Sequence, residues 1–335
     1  MNKIATINDV SRMAGVSKAT VSRVLNDSAS VRAETREKVE MAIAALNFKP
    51  SVVARTLAMH QSDTIGLVLP NFNCAYFSTL LQQASLCCER VDKQLIVADG
   101  HNDPDKELNA LLKLGERQCD ALILYSRYLS DSHIHYLQTQ ITSPLVTINS
   151  PTRQANIPSV VFDQNGAGYM ITHYLIERGH IKIGYITDIS HSPNATSRLE
   201  GYKRAFIDHN YPLSPRLTIA DQSSFNGGYR ACQALLSRHP SLTALVVGCD
   251  EMAVGAQKAL CDLGYTVPHD ISIVSIDNSY LAQIAPVPIT SVDIPLNEMM
   301  HSAVNAALAL IEKKAASHSQ FVGKIVERHS VASLR

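Results

Sequence analysis

An all-α helix-turn-helix headpiece followed by an α/β core of two parallel-sheet lobes is the fold class that this 335-residue sequence predicts. Three observations carry the prediction. Residues 6–25, TINDVSRMAGVSKATVSRVL, hold the signals of two short helices around one turn. Pro50 then interrupts the chain. From Thr64 onward, short β-rich runs alternate with longer helical stretches, the pattern of βαβ units and mainly parallel sheets.

In the headpiece, Thr6 and Asp9 have the T-x-x-D spacing that ties down orphan N–H groups at a helix start. Val10 and Met13 or Ala14 recur at helical spacing. Gly15 takes most readily the left-handed turn that ends a helix, and Ser17 is a second N-cap. Val21, Val24 and Leu25 then make one apolar face, while Lys18, Thr20, Ser22 and Arg23 are polar. Such a pair places its second helix in the DNA major groove; the competing reading is an αα-hairpin inside a larger core. Charge favours DNA. Residues 1–60 carry nine Lys+Arg against five Asp+Glu, net +4, in a chain with 30 of each, so the remainder is net −4. A basic head on a mildly acidic body suits phosphate binding by one end. Arg23 lies on the outer side of the second helix, where it can pair with guanine O6 and N7.

A third helix fits Ala33 to Asn47, with Val39, Ala42, Ile43 and Leu46 at i, i+3, i+4, i+7. Ser51 to Met59 is helix-compatible, but nine residues are too few for a stable helix in water. This segment should order only against a partner: its twin in a dimer, the DNA, or both. The expected domains are a headpiece at 1–49, a hinge helix and linker at 50–61, and a core at 62–335. The first lobe covers 62–160 plus about 291–320; the second covers 162–290 plus the C-terminal end.

The core strands are expected at Thr64–Leu69, Gln94–Ala98, Ala121–Tyr125, Leu145–Ile148, Lys182–Thr187, Ala244–Val247 and Ile271–Ile276. Helices are expected at Phe77–Lys93, Asp105–Arg117, Gly166–Arg178, Ala195–His209, Gly228–Arg238, Glu251–Leu263 and Glu298–Lys314. Open parallel sheets bind ligands beyond the carboxyl ends of their strands. That rule nominates Pro70 to Phe77, Asp99, Tyr125 to Arg127, Asn149, Asp188 to Ser190, Cys249 with Asp250, and Asp277, with Arg198 in reach. Carboxylates, an Arg and an Asn can take the hydroxyls of a polyol, and the rings of Phe72, Tyr76 and Phe77 can cover its apolar face. Taken singly, each has a structural alternative: a cap for Asp250, core for Phe77.

Hydrophobic content of 46% and charged content of 18% are those of a globular protein. No signal peptide and no 18-residue apolar run is visible, so no membrane association is expected. Seven scattered cysteines without C-x-x-C suggest reduced thiols in a cytoplasm. Enzyme chemistry finds no support: Asn165-Gly166-Ala167-Gly168 lacks the last glycine of a dinucleotide loop, and there is no Walker loop. His133-x-His135 is a chance spacing among 13 His. Neither a cofactor nor a metal is expected.

The order I-N-D-V-S-R-M-A-G-V-S-K-A-T-V-S-R-V-L-N, T-R-E-K-V at Thr35 to Val39 and P-S-V-V-A-R-T-L-A at Pro50 to Ala58 closely resemble the headpiece of the LacI/GalR family of bacterial repressors. R-G-H-I-K-I-G-Y-I at Arg178 to Ile186, C-D-E-M-A-V-G-A at Cys249 to Ala256 and P-H-D-I-S-I-V-S-I-D at Pro268 to Asp277 extend the likeness along the core. The resemblance implies a periplasmic-binding-protein-like core and a homodimer on a pseudo-palindromic operator, cytoplasmic and nucleoid-associated. It implies DNA contacts from Thr6, Ser17, Lys18, Ala19 and Thr20, from Ser22, Arg23 and Asn26, and from Thr35. It also implies a hinge helix with Ala54 and Leu57, the leucine wedging into the minor groove. Arg198 and Asp277 match effector-contacting positions. Departures accompany the match: Gln222 stands where sugar-responsive members often carry a stacking Trp, Cys249 replaces a polar contact, and Asn149 falls at an aspartate contact of a lactose-responsive member. Leu95 to Asn102 and Arg117 to Ser130 look like the galactose and β-glucoside branch, so the expected effector is a sugar or glycoside inducer. A purine-type corepressor system is the alternative; a solute-binding receptor would need a signal peptide and no headpiece. Phe321 to Arg335 alternate in a strand-like way and cannot sustain a tetramer's heptads, so a dimer is expected.

Overall fold

Thr6 opens the first helix as its spacing to Asp9 requires: its backbone N–H and its hydroxyl both donate to Asp9 Oδ2, at 3.0 and 2.7 Å. In the computed structural model, which describes residues 5–25, 30–48, 62–126, 129–149, 157–190 and 192–335, residues 1–62 and 63–335 form separate compact units. Helix α1 spans Ile7–Ala14, α2 Lys18–Leu25 and α3 Ala33–Ala45. Gly15 sits at φ +67°, and the Val16 N–H returns to the Ser11 carbonyl at 3.1 Å, closing α1 with a left-handed cap. Val10, Val21, Val24, Val39 and Ala42 form the buried centre, with Ala14, Ile43 and Leu46 packed against it. Met13 is exposed, so of the two alternatives Ala14 faces inward. The expected hinge helix at 50–61 lies outside the described residues.

The core alternates as its patterning predicts. In chain order come β1 (Thr64–Leu69), α4 (Ala75–Glu89), β2 (Gln94–Asp99), α5 (Pro104–Glu116), β3 (Ala121–Tyr125), α6 (Asp131–Gln140), β4 (Leu145–Ile148) and β5 (Ser159–Phe162). Then follow α7 (Gln164–Glu177), β6 (Ile183–Asp188), α8 (Pro193–Asp208), β7 (Thr218–Asp221), α9 (Phe225–Arg238), β8 (Ala244–Val247), α10 (Asp250–Asp262), β9 (Ser272–Asp277), α11 (Tyr280–Ile284) and β10 (Thr290–Asp293). The last elements are α12 (Leu296–Ile311), β11 (Ser319–Phe321) and β12 (Lys324–Val326).

The strands form two six-stranded sheets, ordered β11-β5-β4-β3-β1-β2 and β12-β10-β9-β8-β6-β7. Pairing is parallel throughout except between β10 and β12. Helices cover both faces of each sheet, so central strands such as β1 and β3 are buried along their whole length and read as continuous apolar runs.

The chain crosses between the lobes three times: after β5, after β10 and between β11 and β12. The three crossings touch. The Asp163 N–H donates to the Phe321 carbonyl at 2.8 Å. Gly323 has no room for a Cβ, which would lie 2.6 Å from Val292 Cγ1 and 2.8 Å from the Asp293 carbonyl oxygen. Residues 291–293 therefore belong to the second sheet, and the return to the first lobe starts beyond Asp293 rather than at 291.

The C-terminal segment is fastened to the second lobe. Ala332 N–H donates to Ser272 Oγ at 3.0 Å, and the Ser330 hydroxyl accepts from Thr290 N–H at 2.8 Å. His180, buried, bonds the Ala332 carbonyl through Nε2 and Thr243 Oγ1 through Nδ1, both at 3.0 Å. Burial pushes the His180 pKa below its ordinary value, with the Ala332 carbonyl pulling the other way. The unfolded chain therefore binds a proton at a pH where the folded chain still resists it, and stability falls as pH drops through that range. Between about pH 7.5 and about pH 5.5, the melting temperature of the wild type should fall further than that of His180→Gln. Equal losses in thermal unfolding scans would remove His180 as the cause. No helix among the described residues is long and apolar enough to cross a membrane.

Candidate functional site

Two sites are built, one in each unit. In the headpiece, Val21 and Val24 bury one side of α2, which turns Lys18, Ala19 and Arg23 outward, all exposed. Ser17 caps the helix: its Oγ accepts the Thr20 N–H at 3.1 Å and lies 2.9 Å from Thr20 Oγ1. Ser22 and Thr35 are half-buried, and Thr6 is exposed with its hydroxyl turned to Asp9. α2 is thus a short rigid helix offering a cationic, small and hydroxylic face, which suits base edges and phosphates. Asn26, Ala54 and Leu57 lie outside the described residues.

In the core, a pocket partly open to solvent lies between the lobes. The first lobe contributes Cys74, Ala75 and Tyr76 at the start of α4, and Tyr125 at the end of β3. The second contributes Tyr185, Thr187 and Asp188 from β6, Asn194 and Arg198 from α8, Cys249 and Glu251 around the start of α10, and Asp277 at the end of β9.

Arg198 is its fixed point. Nε donates to Gln164 Oε1 at 2.7 Å, Nη1 to the Gly248 carbonyl and Nη2 to Asp277 Oδ1 at 3.4 Å. The side chains of Arg198 and Asp277 are only 12% and 11% exposed. The backbone of α8 is held where Gly168 of α7 has no side chain: a Cβ there would collide with the Arg198 carbonyl oxygen. Of the glycines that fail as a dinucleotide loop, Gly168 therefore serves helix packing. Asp277 and Asn278 take positive φ, +122° and +52°, which costs non-glycine residues about 1–3 kcal/mol each. Asn278 is held in compensation: its N–H donates to Ser291 Oγ at 3.0 Å, its amide to Asp293 Oδ1 at 2.8 Å, and Arg328 donates to its Oδ1. The strained corner aims the Asp277 carboxylate at Arg198.

The opposite wall is phenolic. Asn149 Nδ2 donates to Tyr125 OH at 3.2 Å and to Tyr76 OH at 3.4 Å. Burial pushes the Tyr76 hydroxyl well above its ordinary pKa, with Tyr125 adding to the effect, so Tyr76 stays a neutral donor. On the Arg198 side, Tyr185 is fully buried: burial pushes its hydroxyl above the ordinary pKa, while Arg198 and the Thr187 side chain pull it down.

Of the expected effector residues, the pocket brings together Tyr76, Arg198, Cys249 and Asp277. The others stand elsewhere. Phe77 is core, edge-on to Tyr76 and Tyr125. Asn149 is buried behind the two tyrosines, its Oδ1 accepting the Phe162 N–H at 2.8 Å. Asp250 points inward and accepts from Ser275 Oγ, Ser291 Oγ, and both the N–H and Oγ of Ser279, so it ties β9, α10, α11 and β10 together. Burial pushes its carboxyl above the usual range, against the pull of those hydrogen bonds. Phe72 is exposed in a neighbouring groove with Phe225 and Tyr280, and Gln222 is absent from the lining. Asp99 borders a separate groove on the outer lobe edge, and Arg127 lies outside the described residues. Lining residues not expected include Tyr185, Thr187, Asn194 and Glu251. Burial raises the Glu251 carboxyl pKa, while the Phe225 N–H it accepts lowers it. Among the described residues no cluster suited to a metal ion occurs.

Two family models match the chain: one described as bacterial regulatory proteins, lacI family, over residues 6–51, and one described as periplasmic binding protein-like domain, over 172–331. The chain is 32% identical to the HTH-type transcriptional regulator AscG of Escherichia coli (strain K12) over 331 residues, 98% of each protein. The structure of the lac repressor dimer bound to operator and the anti-inducer ONPF superposes with a TM-score of 0.89 at 26% identity, covering 98% of this chain and 100% of that one. The complex of the transcriptional regulator CelR with cellobiose gives 0.74 at 25% identity, covering 97% and 99%.

Proposed function

The chain belongs to the lacI family of bacterial regulatory proteins, and from that premise we propose that it is a transcriptional repressor released from its operator by a sugar or glycoside. Its relatives are regulators, and it is a regulator rather than an enzyme. It binds a pseudo-palindromic operator as a homodimer, one α2 in each half-site, and works in the cytoplasm at the nucleoid. The observation that carries the reading is the pairing of an outward polar α2 with an interlobe pocket whose walls are hydroxylic and carboxylic. Tyr76, Arg198, Asp277 and Cys249 are the proposed effector contacts, joined by Tyr185. Lys18, Ala19 and Arg23 are the proposed base readers, with Ser17, Thr20, Ser22, Thr6 and Thr35 positioning the helix on phosphates. Ligand-driven lobe closure alters the first-lobe dimer face and so DNA affinity, a coupling of typically ~1–3 kcal/mol.

The test is selection of the preferred DNA from a random pool, followed by titration with a saccharide panel. Operator affinity should fall with at least one saccharide; affinity that stays fixed or rises across the panel sinks the inducer reading. On the selected site, Arg23→Ala should cost roughly 1–3 kcal/mol and flatten preference at one base pair per half-site. An equal loss on operator and random DNA would make Arg23 a phosphate contact instead.

A further inference from the structure

We infer that the pocket accepts uncharged saccharides and rejects the phosphorylated or carboxylated forms of the same sugars. This rests on the saccharide reading above and names which members of that class can enter. Asp188, Glu251 and Asp277 line the pocket, and among the described lining residues Arg198 is the single cation. That cation is already engaged, by Asp277 on one side and by Gln164 and the Gly248 carbonyl on the other. Asp250 adds a further buried carboxylate immediately behind. The opposing field comes from the first turns of α4, α8 and α10, which reach the lining through Ala75, Asn194 and Glu251. Each helix N-terminus is worth about half a positive charge, so with all four carboxylates ionised the balance against one guanidinium and three helix ends is roughly one to two negative charges. Pairs this deeply placed are weakly screened by salt.

The hydrogen-bond directions agree. Carboxylates are acceptors only, so they need donors from the ligand, and sugar hydroxyls supply them while a phosphate or ionised carboxylate cannot. Tyr76 accepts from Asn149 at 3.4 Å and from Tyr125 at 3.5 Å, leaving its own proton for a ligand oxygen. A ligand whose groups both donate and accept satisfies both walls.

Glu251 is the residue assigned to the discrimination, because it lies at the junction of the pocket with the outer groove. Glutamine there can still accept the Phe225 N–H. The experiment is calorimetric titration of the full chain with glucose, galactose, ribose and methyl β-glucoside. Each is set against its anionic counterpart: glucose 6-phosphate, galacturonate, ribose 5-phosphate and methyl β-glucuronide. At least one neutral sugar should bind, with its counterpart roughly a hundredfold weaker or worse, since juxtaposed like charges cost several kcal/mol. Glu251→Gln should narrow that gap by about tenfold; a gap that stays as wide removes Glu251 as the discriminating residue. An anionic member binding as tightly as its neutral partner overturns the inference while the saccharide reading stands. A pocket that takes no sugar of either charge overturns the saccharide reading, and this inference with it.

Discussion

Arg198→Ala is expected to abolish saccharide binding and to lower the stability of the core by about 3–5 kcal/mol, the cost of leaving a buried partner charge uncompensated. Three groups lose their donor at once: Asp277, the Gly248 carbonyl and Gln164 Oε1. For a unit of this size that corresponds to a drop in melting temperature on the order of 10 °C. The headpiece is a separate compact unit, so DNA binding of the folded variant should survive and be insensitive to sugar. Arg198→Lys keeps the charge but cannot reproduce the planar three-way fork, and it should recover part of the stability with little of the affinity. Thermal unfolding and calorimetric titration of both variants check this. A variant Arg198→Ala that melts and binds sugar as the wild type does would displace the proposed site.

Gly168→Ala should destabilise the core although it adds a single methyl group. The new Cβ meets the Arg198 backbone, which no rotamer change can move, so α7 and α8 must separate. Overpacking of this kind costs typically about 1–3 kcal/mol. The shift also carries Arg198 away from Asp277, so ligand affinity should weaken together with stability. Denaturant unfolding alongside sugar titration reads both. Unchanged stability would mean that the helix pair yields more readily than its packing implies.

Much of this architecture was legible from residue patterns, for reasons that also explain the failures. β1, β3, β4 and β8 begin and end at the expected residues, because strands buried on both faces are unbroken apolar runs. β10 escaped notice because Thr290, Ser291 and Asp293 read as a polar loop. Thr290 and Ser291 are nonetheless buried, their hydroxyls satisfying Arg328 N–H, Asn278 N–H and Asp250. β7 and β11 are edge strands with mixed exposure, and α6 buries only Ile134 and Leu137. At the pocket, the strand-end rule found Tyr125, Asp188, Cys249 and Asp277. It misjudged Phe77 and Asp250 because one step along a helix turns a side chain by about 100°, from the cleft into the core. Tyr185 gave no sign at all: it lies inside β6, where a tyrosine reads as core until the pocket is seen to reach it.

The triple crossing between the lobes has a consequence for how the protein is made. As the chain leaves the ribosome, β1 to β5 emerge first, but their sheet lacks its edge strand β11, and its inner face lacks α12, until β6 to β10 of the second lobe have been synthesised. The nascent first lobe therefore presents an open strand edge at β5 and an uncovered apolar face, the kind of surface on which partly made chains aggregate or recruit chaperones. A chain cut after β5 should not yield a stable first lobe, whereas the three-helix headpiece, built from consecutive residues, can close while translation continues.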